Sequence, residues 1–251
     1  MAELTVIIAT LMRPSLQQTV KSVKESNVEV NLLTRYDPKV NEYVSRDRAV
    51  KDAKTKYIAF VDDDAYYEPG ALRNALKHLE EHKFVEGMVQ GNLWGKGFVQ
   101  FRQSHLGIGT AQFMWKEAYE DLGGFRLDWG RSPHSGWRMD TSLLYDFLKR
   151  YGEDEYLYAD DVLVTHPNSM QSQWSPRIEW LFWRTYEEYV RKYVLPIDGR
   201  LPALIRHSDL MDDAVKYIPQ GMDEIIFNYH KGIVTDEAFD ALKKTIEKVK
   251  K

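Results

Sequence analysis

A chain of 251 residues, 43% hydrophobic and 29% charged, holds enough apolar material for a substantial α/β domain and shows neither a disordered nor a membrane-type bias. A formal net charge of -4 gives no broad positive field for nucleic acid, so any phosphate has to be met locally, by a cation or a few arginines. With 0 cysteines, a disulfide framework, a thiolate zinc site and a cysteine nucleophile are excluded, in keeping with a reducing cytoplasm. The first ten residues show no basic export segment and their apolar run is far short of the ~20 residues a spanning helix needs, so a cytoplasmic chain without a membrane span is expected.

Residues 4–9, LTVIIA, form a β-branched run before the breaker Arg13-Pro14, which predicts a buried strand and then a helix over about 15–25. A second strand is predicted at 28–33, a helix at 43–53, and a third strand at 57–61 that ends in Asp62, Asp63 and Asp64. Strands alternating with helices imply a parallel sheet, whose ligand crevice lies beyond the carboxyl ends of its strands. Both the 10–14 turn and the aspartates fall there. A helix from Pro69 to about 82 and strands at 84–91 and 97–101 complete a first half closing near 105.

Residues 107–115 read as a strand, 116–122 as a short helix, and 123–138 as a loop rich in Gly, Arg, Ser, Pro and Trp, a length more often functional than accidental. A helix over 140–150 follows, and His166 ends a further strand. From Pro176 the chain reads as largely helical, with 196–202 as the linker.

Three adjacent carboxylates at the end of a buried strand repel one another unless a cation is shared. Alternate side chains of an extended segment point the same way, so Asp62 and Asp64 converge while Asp63 faces elsewhere. Hard oxygen ligands suit Mg²⁺ or Mn²⁺ completed by phosphates and water. The bland alternative is an acidic, solvated turn.

VIIAT with Arg13-Pro14, SRDRAV over 45–50, YIAFVDDDAYYEPGAL over 57–72, and GGF followed by WRMDTSLL over 137–144 together resemble glycosyltransferase family 2, in the family's order, across about residues 4–170. The resemblance implies a GT-A fold: an α/β, Rossmann-like, mostly parallel sheet flanked by helices, here with a helical C-terminal extension. It divides the chain into a nucleotide-sugar and metal-binding half (1–105), an acceptor-binding half (106–200) and the extension (201–251).

By that resemblance Asp62 and Asp64 hold the metal and the donor diphosphate, and His166 joins the metal or diphosphate unless it is structural. Asp63 reaches the ribose, Thr10 belongs to the donor-binding set, and Arg13 and Arg46 hold the nucleotide or form plain ion pairs. Asp47 stands where the family more often has asparagine. The second strand ends in Thr34-Arg35-Tyr36-Asp37 in place of the family's acidic turn, leaving Asp37 to meet the base. Met139-Asp140 replaces a Glu-Asp pair, so Asp140 is the expected general base, against the alternative of a helix N-cap.

The implied reaction moves a sugar, with inversion, from a UDP- or GDP-type donor to a glycan, glycolipid or glycoprotein hydroxyl, the 123–138 loop closing over the donor. Aromatic residues Phe182, Tyr186, Tyr189 and Tyr193, interleaved with Arg177, Arg184, Arg191 and Lys192, read as core or as an acceptor or peripheral-membrane surface. The last helix, 235–251, carries Phe239, Leu242, Ile246 and Val249 as an apolar stripe. An aspartyl phosphatase wants its DxD on the first strand, and a sugar nucleotidylyltransferase wants a glycine-rich, lysine-containing opening loop that residues 10–15 lack. A non-catalytic carbohydrate- or divalent-metal-binding module is the remaining alternative; oligomeric state stays open.

Overall fold

The computed structural model describes residues 2–92, 98–131, 136, 138–167, 174–219, 222, 226, 227 and 234–250. Most of the 123–138 loop is described, but 132–135 and Trp137, and with them part of the WRMDTSLL segment, lie outside that set, as does Gly97 of the predicted 97–101 strand. The chain forms two compact units, one of Met1–Leu127 with Met139–Gln171 and one of Asp128–Arg138 with Ser172–Lys251.

The first unit is built on an eight-stranded sheet of β1 (Leu4–Thr10), β2 (Val30–Tyr36), β3 (Tyr57–Asp62), β4 (Tyr66–Tyr67), β5 (Phe84–Asn92), β6 (Phe98–Phe101), β7 (Gln112–Trp115) and β8 (Tyr156–His166), in the order β2-β1-β3-β7-β5-β8-β4 with β6 on β5. Every residue of β1 is buried, as a strand covered on both faces demands of the run LTVIIAT. β2 and β3 flank it in parallel, with Thr10 opposite Tyr36 and Ala9 opposite Asp62, so three carboxyl ends share one edge. Helices α1 (Leu16–Lys24), α2 (Glu42–Asp52), α3 (Ala71–Leu79), α4 (Lys116–Asp121) and α5 (Met139–Tyr151) complete this unit. The Asn41 side chain starts α2 by accepting the Val44 N–H at 3.0 Å.

The sheet is mixed: β1, β2, β3, β5 and β8 run one way and β4, β6 and β7 the other. β6 and β7 lie end to end along the same side of β5, and residues 102–111 leave the sheet between them. The strand expected over 107–115 is therefore only Gln112–Trp115. Its first half is held out of the ladder because the Glu86 side chain takes the His105 and Ile108 N–H groups that pairing would have used.

β4 has no sequence signal, yet it determines the site. After β3 ends at Asp62 the chain crosses to β8, where Tyr66 pairs with Thr165 and Tyr67 with Val164. Across β8, Gly91 of β5 opposes His166, and a side-chain carbon on Gly91 would lie 1.9 Å from the His166 carbonyl oxygen. Only glycine permits that approach, here at φ +149°.

The second unit is helical: α6 (Pro176–Tyr189), a π-helical turn (Val190–Val194), α7 (Leu201–Arg206), α8 (Ser208–Tyr217) and α9 (Asp236–Val249). Ser175 caps α6, with Pro176 in its first turn. Trp180, Phe182, Trp183 and Tyr186 are all buried, so the aromatic stripe is core on those positions. Buried Glu179 is paired with Arg138, which also holds Asp198 at 2.8 Å. Of the 196–202 stretch read as a linker, Asp198 is buried in an irregular segment and Leu201 and Pro202 open α7. Phe239, Leu242 and Ile246 of α9 are buried, whereas Val249 is exposed. Among the described residues no helix is long and apolar enough to cross a membrane.

Candidate active site

The end of β3 presents three carboxylates with three different surroundings. The Asp63 carboxylate accepts Thr10 Oγ1–H at 2.7 Å and the Leu11 N–H at 3.1 Å, with Arg13 Nε 3.4 Å away. It is 2% exposed, so it ties β1 to β3, and a ribose would reach it only if the Thr10 bond opened. The turn that follows β3, closed by the Ala65 N–H on the Asp62 carbonyl at 3.2 Å, sends Asp63 into the fold and Asp62 and Asp64 to a common side.

Asp62 and Asp64 each divide their oxygens between two partners. Asp62 Oδ1 is held by Arg46 Nη2, and Asp64 Oδ2 by Arg13 Nη1 at 2.6 Å. The other oxygens turn to His166, whose Nε2 lies 3.6 Å from Asp62 Oδ2 and 3.3 Å from Asp64 Oδ1. Among the described residues, Asp62, Asp64 and His166 are the group able to offer three ligand atoms within 4.8 Å of one another. Neighbouring ligands on a small cation with ~2.1 Å bonds sit about 3 Å apart, so two oxygens and an imidazole nitrogen at these spacings fit Mg²⁺ or Mn²⁺. Buried Arg46 limits the rotation of the Asp62 carboxylate, whereas half-exposed Arg13 meets Asp64 from the solvent side.

The electrostatics follow from burial and this pairing. Burial opposes charge on His166, but hydrogen bonds and attraction from Asp62 and Asp64 outweigh it and raise the imidazole to about 10. Burial would likewise raise Asp62, yet Arg46 and then His166 hold it well below the usual carboxylate range. Arg46 keeps its charge although desolvation opposes it, because Asp62 compensates. Its side chain is 1% exposed, lies over the Tyr43 and Phe60 rings, and donates from Nη1 to the Gly109 carbonyl at 3.1 Å. The Nε of Arg46 and the hydroxyl of Tyr67 are buried with no protein partner.

The remaining expected residues fall around this cluster. Arg13 has half of its side chain in solvent. Asp37 follows β2 on the same sheet edge, accepting the Lys39 N–H at 3.1 Å and Arg48 Nη1 at 2.6 Å. Lys39, through its backbone N–H, and then Arg48 hold it below its ordinary value. Asp47 accepts Tyr119 O–H at 3.1 Å and pairs with Lys51. Asp140 sits within the first turn of α5 and not ahead of it, so it does not have the N-cap position. Its Oδ2 accepts the Gly109 N–H at 3.0 Å and its Oδ1 the Thr141 N–H at 2.8 Å. Gly109 therefore touches both Asp140 and Arg46.

Three participants escape sequence reading. Gly109 acts through its backbone, Thr110 accepts the Asp62 N–H on Oγ1 at 3.1 Å, and Glu86 is fully buried beneath the 102–111 excursion. Only Glu86 left a trace, as a lone charge inside the apolar run FVEGMV.

With this geometry in place, likeness to known proteins is informative. Residues 39–131 match the model of the family described as Glycosyl transferase family 2. No curated protein matches the chain in sequence. Among solved structures, S. aureus TarS 1-349 in complex with UDP-GlcNAc is similar at a TM-score of 0.57 and 12% identity, over 98% of this chain and 90% of that one. S. aureus TarS in its longer form is matched over 50% of its length, with a TM-score of 0.55 and 11% identity over 96% of this chain. The mannosyltransferase PcManGT from Pyrobaculum calidifontis, in complex with GDP-Man and Mn²⁺, gives a TM-score of 0.55 at 14% identity, over 97% of this chain and 86% of that one. The fold is thus GT-A, as the sequence resemblance implied.

Proposed function

We propose that the chain is an inverting glycosyltransferase that moves a sugar from a nucleoside diphosphate donor to an acceptor hydroxyl. The observation that carries this reading is the convergence of Asp62 Oδ2, Asp64 Oδ1 and His166 Nε2 at the carboxyl edge of the sheet. The family match over 39–131 supports it, as do relatives of the same fold that bind UDP-GlcNAc, GDP-Man and Mn²⁺.

In this proposal Asp62, Asp64 and His166 hold Mn²⁺ or Mg²⁺, which supplies positive charge against that growing on the leaving diphosphate. Arg46 is too buried to meet a nucleotide and serves by fixing Asp62. Arg13, half in solvent, is the arginine free to turn towards phosphate. Asp63 and Thr10 keep the β1 and β3 ends together, and Asp37 faces the nucleoside side of the edge. Asp140 takes the acceptor's proton as its oxygen forms a bond to the anomeric carbon; the bond from that carbon to the diphosphate breaks, its electron pair leaving with the nucleoside diphosphate. The acceptor is a glycan or a lipid- or protein-linked glycan.

Asp140→Asn tests the scheme. An amide cannot take a proton, so transfer should fall ~10²- to 10⁴-fold, while Mn²⁺-dependent donor binding, read by thermal shift, persists. Transfer within about threefold of wild type would remove Asp140 as base, a role worth far more than that, and direct attention to other carboxylates, Asp128 first. NMR of the product should show an inverted anomeric configuration, and retention refutes direct displacement. Donor binding with no turnover on any acceptor, or slow hydrolysis absent with Mn²⁺, would favour the binding-module reading.

A further inference from the structure

Residues 102–111 depart from the line of β6 and β7 beside Glu86, with φ +66° at His105, a conformation that costs a non-glycine residue, and +59° at Gly107, which glycine adopts freely. A non-glycine residue at positive φ persists only where its surroundings over-determine it. Here the surroundings include the Glu86 carboxylate, the Tyr156 hydroxyl that shares the His105 N–H at 3.0 Å, the Tyr145 hydroxyl that donates to the His105 carbonyl at 3.0 Å, and Glu153, 2.8 Å from His105 Nε2. Glu86 is fully buried; its Oε2 accepts the His105 N–H at 3.1 Å and the Tyr156 hydroxyl, and its Oε1 accepts the Ile108 N–H at 3.1 Å. Burial pushes Glu86 up to about 7, against the pull of the Tyr156 hydroxyl and the 108, 105 and 107 amides. Successive amides curled around an anion form a nest, and this nest is filled by the protein's own side chain.

The outer side of the same excursion is sewn to the catalytic edge. Gly109 N–H donates to Asp140 Oδ2 at 3.0 Å, and the Gly109 carbonyl accepts Arg46 Nη1 at 3.1 Å. Thr141 Oγ1–H donates to the Leu106 carbonyl at 2.7 Å, and Gln112 Nε2 bridges the carbonyls of Gly107 and Asp140 at 2.9 and 3.0 Å. The backbone between the Glu86 nest and Asp140 is thus short and has bonds at both ends.

We propose that Glu86 is a positioning residue: its side chain is the one group that takes both the His105 and the Ile108 N–H of the 102–111 turn and, through the Gly109 N–H, it sets the orientation of the Asp140 carboxylate. This rests on the reading of Asp140 as general base. Glutamine has the same length but only one acceptor oxygen, and its NH₂ would face backbone donors, so the turn relaxes in Glu86→Gln. A misplacement of ~1 Å at a reacting group costs up to ~10²-fold in rate.

The test compares Glu86→Gln, Asp140→Asn and the double variant in transfer rate, donor KM and half-saturating Mn²⁺. Glu86→Gln should lower kcat ~10- to 100-fold while donor KM and the Mn²⁺ requirement stay within about twofold. In the Asp140→Asn background it should lower the residual rate by no more than about twofold, since a missing base cannot be misplaced. An equal fold-loss in both backgrounds, or a Glu86→Gln kcat within about twofold of wild type, overturns the proposal while leaving the base assignment intact. Near-normal transfer by Asp140→Asn alone removes both. Should Glu86→Gln fail to fold, Glu86→Asp shortens the same carboxylate by one methylene and withdraws it from the His105 and Ile108 amides while Tyr156 stays in place: a loss in kcat at unchanged donor KM supports the proposal, and an unchanged kcat overturns it.

Discussion

The two carboxylates beside His166 favour its protonated form, so an ion that takes Nε2 as a ligand should displace a proton. His166 Nε2 lies 3.3 Å from Asp64 Oδ1, its side chain is 5% exposed, and the two carboxylates raise it to about 10. Only the neutral imidazole ligates. At pH 7 the gap to that value is about three pH units, and at ~1.4 kcal/mol per unit, stripping the proton costs about 4 kcal/mol. Metal affinity should therefore rise about tenfold per pH unit between about 6.5 and 8.5, with close to one proton released per ion bound. The sign for the metal-free fold is opposite. A folded value above the ~6.5 of free imidazole gives a stabilisation fully present below about 6.5 and lost as pH rises through about 10. Mn²⁺ titration calorimetry in buffers of different ionisation enthalpy measures the release directly, and His166→Asn should bind more weakly, without proton release and with a flat pH dependence. Wild-type binding that is independent of pH and expels no proton would refute the reasoning.

Two other substitutions separate ligand from scaffold. Asp64→Ala should abolish Mn²⁺ binding and weaken donor binding with it while the protein still melts cooperatively, because the chain around residue 64 keeps its β4–β8 pairing; unchanged Mn²⁺-dependent nucleotide binding in calorimetry would remove Asp64 from the site. Thr10→Val deprives the buried Asp63 carboxylate of one of its donors and should destabilise the fold by ~1–3 kcal/mol in urea, with metal affinity nearly unchanged, so an unaltered unfolding midpoint contradicts the tie between β1 and β3.

Much of this was legible in the sequence, for reasons that can be named. LTVIIAT and YIAFVD are continuous apolar runs ended by breakers or charges, and buried central strands leave that signature. Strand alternation anticipated Asp62 and Asp64 on one side and Asp63 on the other, although the strand ends at Asp62 and a turn produces that arrangement. The reversed strands were not legible, because direction in a sheet is set by connections that periodicity does not record. The 107–115 strand failed halfway for a related reason: its fate was decided by a side chain from β5, Glu86. β4 is two residues long, too short for any pattern, and the aromatic stripe around Phe182 fits core and ligand surface equally well until burial distinguishes them.

That two-residue strand also orders events in time. Asp64 leaves the ribosome about a hundred residues before His166, a gap of several seconds at a synthesis rate of ~5–20 residues per second. During that interval β1, β2 and β3 can pair, but Asp64 has Arg13 for company and no imidazole. His166 joins the two carboxylates only where Val164 and Thr165 pair with Tyr67 and Tyr66, which closes a loop of about a hundred residues. The Asp62, Asp64 and His166 group therefore depends on a pairing between segments about a hundred residues apart as much as on the end of β3 itself.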